Sequence, residues 1–122
     1  MRPWHHILDV LNSITTSVER LYQNYKLSGA YNIGPKKQGI SVKEVIKESK
    51  LKYPKNTKKM KRFEEKKYLF LNADKFSKIF KIKTNVNFKD SIKLTINWYK
   101  RYYKKEKLNS IINDDLKNYF NL

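Results

Sequence analysis

The chain has 122 residues, enough for one domain of modest size, and its 39% hydrophobic content permits a core without a generous one. It has no cysteine, which excludes a disulfide framework, thiolate catalysis and a thiolate metal site. A formal net charge of +17 points toward a polyanion, yet only Arg2, Arg20, Arg62 and Arg101 among the 28 basic residues are arginine, the residue nucleic-acid interfaces favour for bidentate contacts. Lysine, asparagine and isoleucine abundance of this kind also follows from AT-rich codon usage, so nucleic acid is not the expected partner. No apolar run reaches the length of a membrane span and no basic-then-apolar leader is present, which reads as a cytoplasmic protein with no membrane partner.

The elements are expected in the following order. Pro3 forbids a helix interior, so residues 2–8 read as an extended leading segment. Asp9 is placed to cap a helix over about 10–26, with Val10, Leu11, Ile14, Val18, Leu21, Tyr22 and Tyr25 on one apolar face. That helix is expected to stop before Gly29. "GAYNIGP" predicts a short strand over about 30–33. Ser41 with Glu44 three residues on is a capping-box pattern opening a helix over about 42–49. Lys50 to Lys61, lysine-rich around Pro54, reads as a solvated loop.

"KKYLFLNAD" predicts a second strand over about 67–71, followed by a helix over about 73–80 capped by Asn72 or Asp74. Phe88, Ile92, Ile96 and Tyr99 mark a long helix over about 88–105. The tail 107–122 is weakly periodic and reads as a last short helix. The expected fold class is α+β: one helix-rich unit over residues 1–122 with two or three short strands. Strands this short make no stable sheet alone, so the unit reads as one lobe of something larger.

Few residues carry chemistry unaided. His5 and His6 are adjacent and, on an extended backbone, point to opposite faces, so they read as packed or solvent-facing rather than as metal ligands. Tyr22–Lys26 and Tyr103–Lys107 both match Tyr-x-x-x-Lys, but with nine tyrosines and 24 lysines about two such pairs arise by chance. Tyr22 reads as a core residue of its helix. Asp114 and Asp115 are adjacent, which suits a solvated helix start better than acid–base work. The glycines at 29, 34 and 39 do not form a dinucleotide-binding turn. Arg2 stands out: held extended by the following proline, its fork can project toward carboxylate or phosphate. The alternative is a frayed terminal arginine.

Five stretches, in order, resemble the C-terminal part of CDP-glucose 4,6-dehydratases, which belong to the extended short-chain dehydrogenase/reductase (NAD-dependent epimerase/dehydratase) superfamily. "RPWHHILDVLNSITTSVERLYQ" resembles their Arg-Pro-Trp-Gln-His-Val-Leu-Glu-Pro-Leu segment, and "SGAYNIGP" their Gly-Ala-Trp-Asn-Phe-Gly-Pro segment. "EEKKYLFLNADKFSKIFKI" is similar to their His-Glu-Ala-x-x-Leu-x-Leu-Asp-x-x-Lys-Ala stretch. "NFKDSIKLTINWYKRYY" is similar to their closing helix with Thr-x-x-Trp-Tyr, and "DDLKNYF" to their terminal Gln-Ile-x-x-Tyr.

The resemblance implies a nucleotide-sugar-binding lobe that is not catalytic alone. In the family a Rossmann domain carries NAD and the catalytic Thr/Ser, Tyr and Lys; it oxidises C4 of the hexose, eliminates water across C5–C6 and returns the hydride to C6. That machinery would lie upstream of Met1 or on a Rossmann-domain partner chain, making this a truncated or split dehydratase whose ligand is a CDP-hexose. By resemblance Arg2 would hold the diphosphate, Trp4 and His6 would neighbour it, Asn32 matches the strand asparagine and Glu65 the glutamate of His-Glu. Glu64 stands where the family has that histidine, Asn72 where it has the Leu-Asp aspartate, and "FKIKTN" replaces Leu-Gly-Trp-x-Pro. With no partner chain, Arg2 is expected to be exposed and unpaired. The alternatives are a small basic nucleic-acid-binding protein and a non-functional gene fragment.

Overall fold

A computed structural model describes residues 1–36, 38–52 and 66–121. The chain folds as five α-helices, α1 Ile7–Gln23, α2 Val42–Ser49, α3 Asp74–Phe80, α4 Phe88–Tyr103 and α5 Leu108–Phe120, with one 3₁₀ turn at Tyr25–Leu27. α1 packs on α3, α2 on α4, and α4 on α5. No helix among the described residues is long and apolar enough to cross a membrane. The solvated loop expected from Lys50 to Lys61 falls largely outside the described residues.

The α+β expectation is corrected: the described residues contain no β-strand. Segments 30–33 and 67–71 do not form strands, and among the described residues β pairing is limited to one isolated antiparallel bridge, Arg2 to Ile40. Arg2 N donates to Ile40 O at 3.0 Å and Leu69 N to Met1 O at 3.1 Å. The physical reason lies at Gln38, whose side-chain amide takes the place of a neighbouring strand. Leu71 N donates to Gln38 Oε1 at 2.7 Å, and Gln38 Nε2 donates to Leu71 O. A side chain satisfies one residue's backbone pair and cannot propagate a ladder. Gly39, at φ +79°, turns the chain between Gln38 and Ile40, and a Cβ there would stand 3.2 Å from the Phe70 ring.

Helix ends follow their caps. α2 begins as expected, with the reciprocal Ser41–Glu44 capping box complete. Asn87 caps α4 by accepting from Asp90 N at 3.0 Å. α3 has no side-chain cap at Ala73; Asn72 instead accepts from Asp74 N at 3.0 Å. α5 is a full helix of 13 residues where the sequence suggests only a short one. α1 starts three residues before its expected first residue, capped by His6, whose Nδ1 accepts from Leu8 N at 3.4 Å. It also ends early, because Asn24 accepts from Lys26 N at 3.1 Å and starts the 3₁₀ turn, so Gly29 caps nothing.

The core is small. Phe76 and Phe80 of α3 are buried at a centroid separation of 4.8 Å, and the Tyr31 ring meets Phe80 edge-on at 5.1 Å. Ile40, Ile111 and Tyr119 are the other buried apolar residues among those described. α1 contributes polar groups to this interior: Asp9 and Ser13 are its buried residues. Its apolar stripe, Ile7, Leu11, Ile14, Val18 and Tyr22, continued by Tyr25, is exposed. The core role expected for Tyr22 is therefore corrected: it is 93% exposed.

Candidate functional site

The leading segment is held by main-chain carbonyls. Ile40 O accepts from Arg2 N at 3.0 Å and from Trp4 Nε1 at 3.2 Å, so one carbonyl anchors both residues. The Arg2 guanidinium is not unpaired, which corrects the expectation of an exposed, partnerless fork. It is half-buried, and Nη1 donates to Lys66 O at 2.9 Å and to Met1 O at 3.1 Å. Asn32 Nδ2 donates to Asn72 O at 3.2 Å, tying the 30–36 segment to the start of α3. Glu65 lies outside the described residues.

His6 is buried, and its Nδ1 faces the helix start, where it accepts from Leu8 N. Burial pushes its imidazole pKa down; Asp9 and Asp115 oppose that. Arg2 and Trp4 are thus brought together on Ile40, His6 sits at the first turn of α1, and Asn32 belongs to a separate contact with Asn72.

Reasoning from the sequence missed the most connected polar group, Asp9. It is 1% exposed, and it does not cap α1 as expected. Its Oδ1 accepts from Asn85 N at 2.9 Å and from the Tyr119 hydroxyl at 2.8 Å, and its Oδ2 accepts from Val86 N at 3.3 Å. Asp9 therefore ties α1 to the 84–87 turn and to α5, across 76 to 110 residues of sequence. Burial, and then the contact with Asp9, pushes the Tyr119 phenol pKa well above its ordinary value, so it remains a donor. The signal in the sequence is the carboxylate inside the apolar run "ILDVL", which no solvated face explains.

Between α1, α4 and α5 runs a predominantly apolar groove of about 670 Å³, bordered by Trp4, Leu8, Leu11, Ile92, Trp98 and Ile112 among others. Arg101 clamps the α4–α5 turn, with Nε to Glu106 Oε2 and Nη2 to Asp114 Oδ2, each at 2.7 Å. Asp114 is thus an ion-pair partner rather than part of a solvated helix start. Burial raises the Asp115 pKa, and Arg101 and His6 counter part of that. Among the described residues no group of three or more His, Asp or Glu is arranged to hold a metal ion. Comparison with protein-family models, with curated proteins and with solved structures finds no match.

Proposed function

We propose that this chain is the nucleotide-sugar-binding lobe of a CDP-glucose 4,6-dehydratase-type enzyme, working against a separate NAD-binding Rossmann unit and inactive alone. The observation that carries the reading is the inverted amphipathicity of α1. The helix turns Asp9 and Ser13 into its own lobe and leaves Ile7, Leu11, Ile14, Val18 and Tyr22 outside. A helix is stable in water with that polarity when something else covers its apolar stripe. The stripe begins one residue beyond the segment that resembles the family's Arg-Pro-Trp-x-His motif, which supports a covering unit that also completes the ligand site.

In this reading Arg2, anchored beside Trp4 on Ile40 O, contributes its guanidinium to the diphosphate oxygens through charge-assisted hydrogen bonds. Trp4, 38% exposed and fixed through its indole N–H, offers a ring face beside it. The oxidation, elimination and reduction steps belong in this reading to the partner, and this lobe positions the sugar nucleotide.

Calorimetric titration of CDP-glucose tests this. Binding is expected for the mixture of this chain with an NAD-loaded dehydratase-type Rossmann chain, and to weaken about tenfold or more for Arg2→Ala. Binding of equal strength to this chain alone, or none to the mixture, would overturn it.

A further inference from the structure

The last turns of α4 bring four aromatic rings together, and the dehydratase reading leaves two of them, Tyr102 and Tyr103, without a role. Trp98 and Tyr102 stack with centroids 5.2 Å apart and planes 11° from parallel. Tyr99 and Tyr103 form a second stack, at 6.2 Å and 25°. Both pairs are spaced four residues apart, so they lie in neighbouring rows on the helix surface. The two stacks meet edge-on, Trp98 to Tyr99 at 5.2 Å and Tyr102 to Tyr103 at 5.7 Å. Contacts of this geometry hold the rings against one another. Tyr99 and Tyr102 are nevertheless half-exposed, and Tyr103 is 75% exposed. Neither Tyr102 nor Tyr103 borders the apolar groove.

The rings stand among positive charges. Between residues 91 and 113 the one acid is Glu106, against Lys93, Lys100, Arg101, Lys104, Lys105 and Lys107. Arg101 takes up both Glu106 and the following Asp114. Lys100, Lys104, Lys105 and Lys107 are exposed, and none of them has an ion-pair partner among the described residues. Lys100 lies three residues before Tyr103 and four before Lys104, so it neighbours both on the helix surface. Cations in a last turn complement the helix dipole, which accounts for the charge there but not for the open rings beside it.

We propose that this end of α4 binds single-stranded nucleic acid, with unpaired bases stacking on Tyr102 and Tyr103 and the phosphates following Lys100, Lys104 and Lys107. Every base has a π-face, so exposed rings take a strand with little regard to its sequence. A duplex keeps its base faces inside, and offers such rings nothing to stack on. The scarcity of arginine counts against reading base edges in a duplex groove; it has no bearing on stacking, which needs ring faces and any nearby cation. AT-rich codon usage accounts for how many lysines and tyrosines the chain has. It does not place two exposed tyrosines and unpaired ammonium groups on the same turns of one helix. The proposal does not rest on the dehydratase reading: failure of CDP-glucose to bind leaves it standing.

The test is fluorescence anisotropy of labelled oligo-dT and oligo-U of about 12 nucleotides, titrated with the full chain at several salt concentrations up to about 200 mM. Tyr103→Leu keeps an apolar side chain and removes the ring; it should weaken binding about tenfold and leave the salt dependence unchanged. Tyr103→Phe keeps the ring face and should bind as the unaltered chain does. Lys100→Ala should lower the slope of log affinity against log salt by about 0.7. Circular dichroism checks that each variant is folded. Tighter binding of oligo-U or of oligo-dT would identify the preferred sugar, and either keeps the surface. No binding, a duplex of the same length bound as tightly at about 200 mM salt, or Tyr103→Leu binding as the unaltered chain does, would leave at most attraction by net charge and overturn the proposal.

Discussion

Asp9 gathers three long-range hydrogen bonds on one carboxylate. Replacing it with alanine strands two backbone N–H groups and the Tyr119 hydroxyl in the interior, and each stranded donor costs about 1–3 kcal/mol. We expect Asp9→Ala to lose about 3–5 kcal/mol, read as a large drop in the urea midpoint, with Tyr119→Phe losing about 1–2 kcal/mol. A small change in Asp9→Ala would show that the three contacts do not hold the fold. The sequence made Asp9 visible as a helix cap and no more, because its partners lie at 85, 86 and 119 and only the fold brings them to it. Arg2, Trp4 and His6 could be picked out as unusual; that Ile40 O anchors the first two could not.

The neighbouring histidines make stability depend on pH. Burial is the first cause lowering both pKa values from 6.5, so the folded state binds fewer protons there than the unfolded one. Their contribution is present above pH 6.5 and is lost as pH falls toward their folded values. Asp115 has the opposite sign: its raised pKa favours the folded state below the unfolded value of 3.8, and that contribution is lost as pH rises through its folded value. The urea midpoint should therefore fall between pH 7.5 and 5.5, and fall less in His5→Gln. A midpoint that rises across that interval would contradict the burial of these rings.

At the scale of elements, α2 was legible to the residue because its capping box is local chemistry, complete within four positions. The strands were misjudged because a strand needs a neighbour, and at Leu71 the neighbour is the side chain of Gln38. α1 was located by its periodicity, yet periodicity reports a stripe and not which way it faces. The apolar side faces out, and Val18 is 59% exposed. Val18→Glu should therefore leave the stability of the isolated lobe within about 0.5 kcal/mol, as expected for a surface position. Full cover for an aliphatic side chain contributes about 1.5–3 kcal/mol, so the same change should break binding to a covering unit. A loss above about 1 kcal/mol in the isolated lobe, measured by urea unfolding, would place the stripe inside the fold instead.

The molecule as a whole joins a small aromatic core to a large share of unsatisfied surface. Exposed apolar side chains run along α1 and recur at Tyr68, Leu69 and Phe70, and at Tyr99, Tyr102 and Tyr103 on α4. A charge of +17 opposes association of such a surface with copies of itself through self-repulsion. The proposed function joins the resemblance to the dehydratase family with the inward polarity of α1: this chain would supply substrate contacts and another unit the NAD chemistry. The direct measurement is turnover of CDP-glucose by this chain mixed with an NAD-loaded Rossmann chain of that family, with each component also assayed alone. Only the mixture is expected to form the 4-keto-6-deoxy product, and Val18→Glu to abolish it. An inert mixture, or turnover unchanged when this chain is left out, would contradict it.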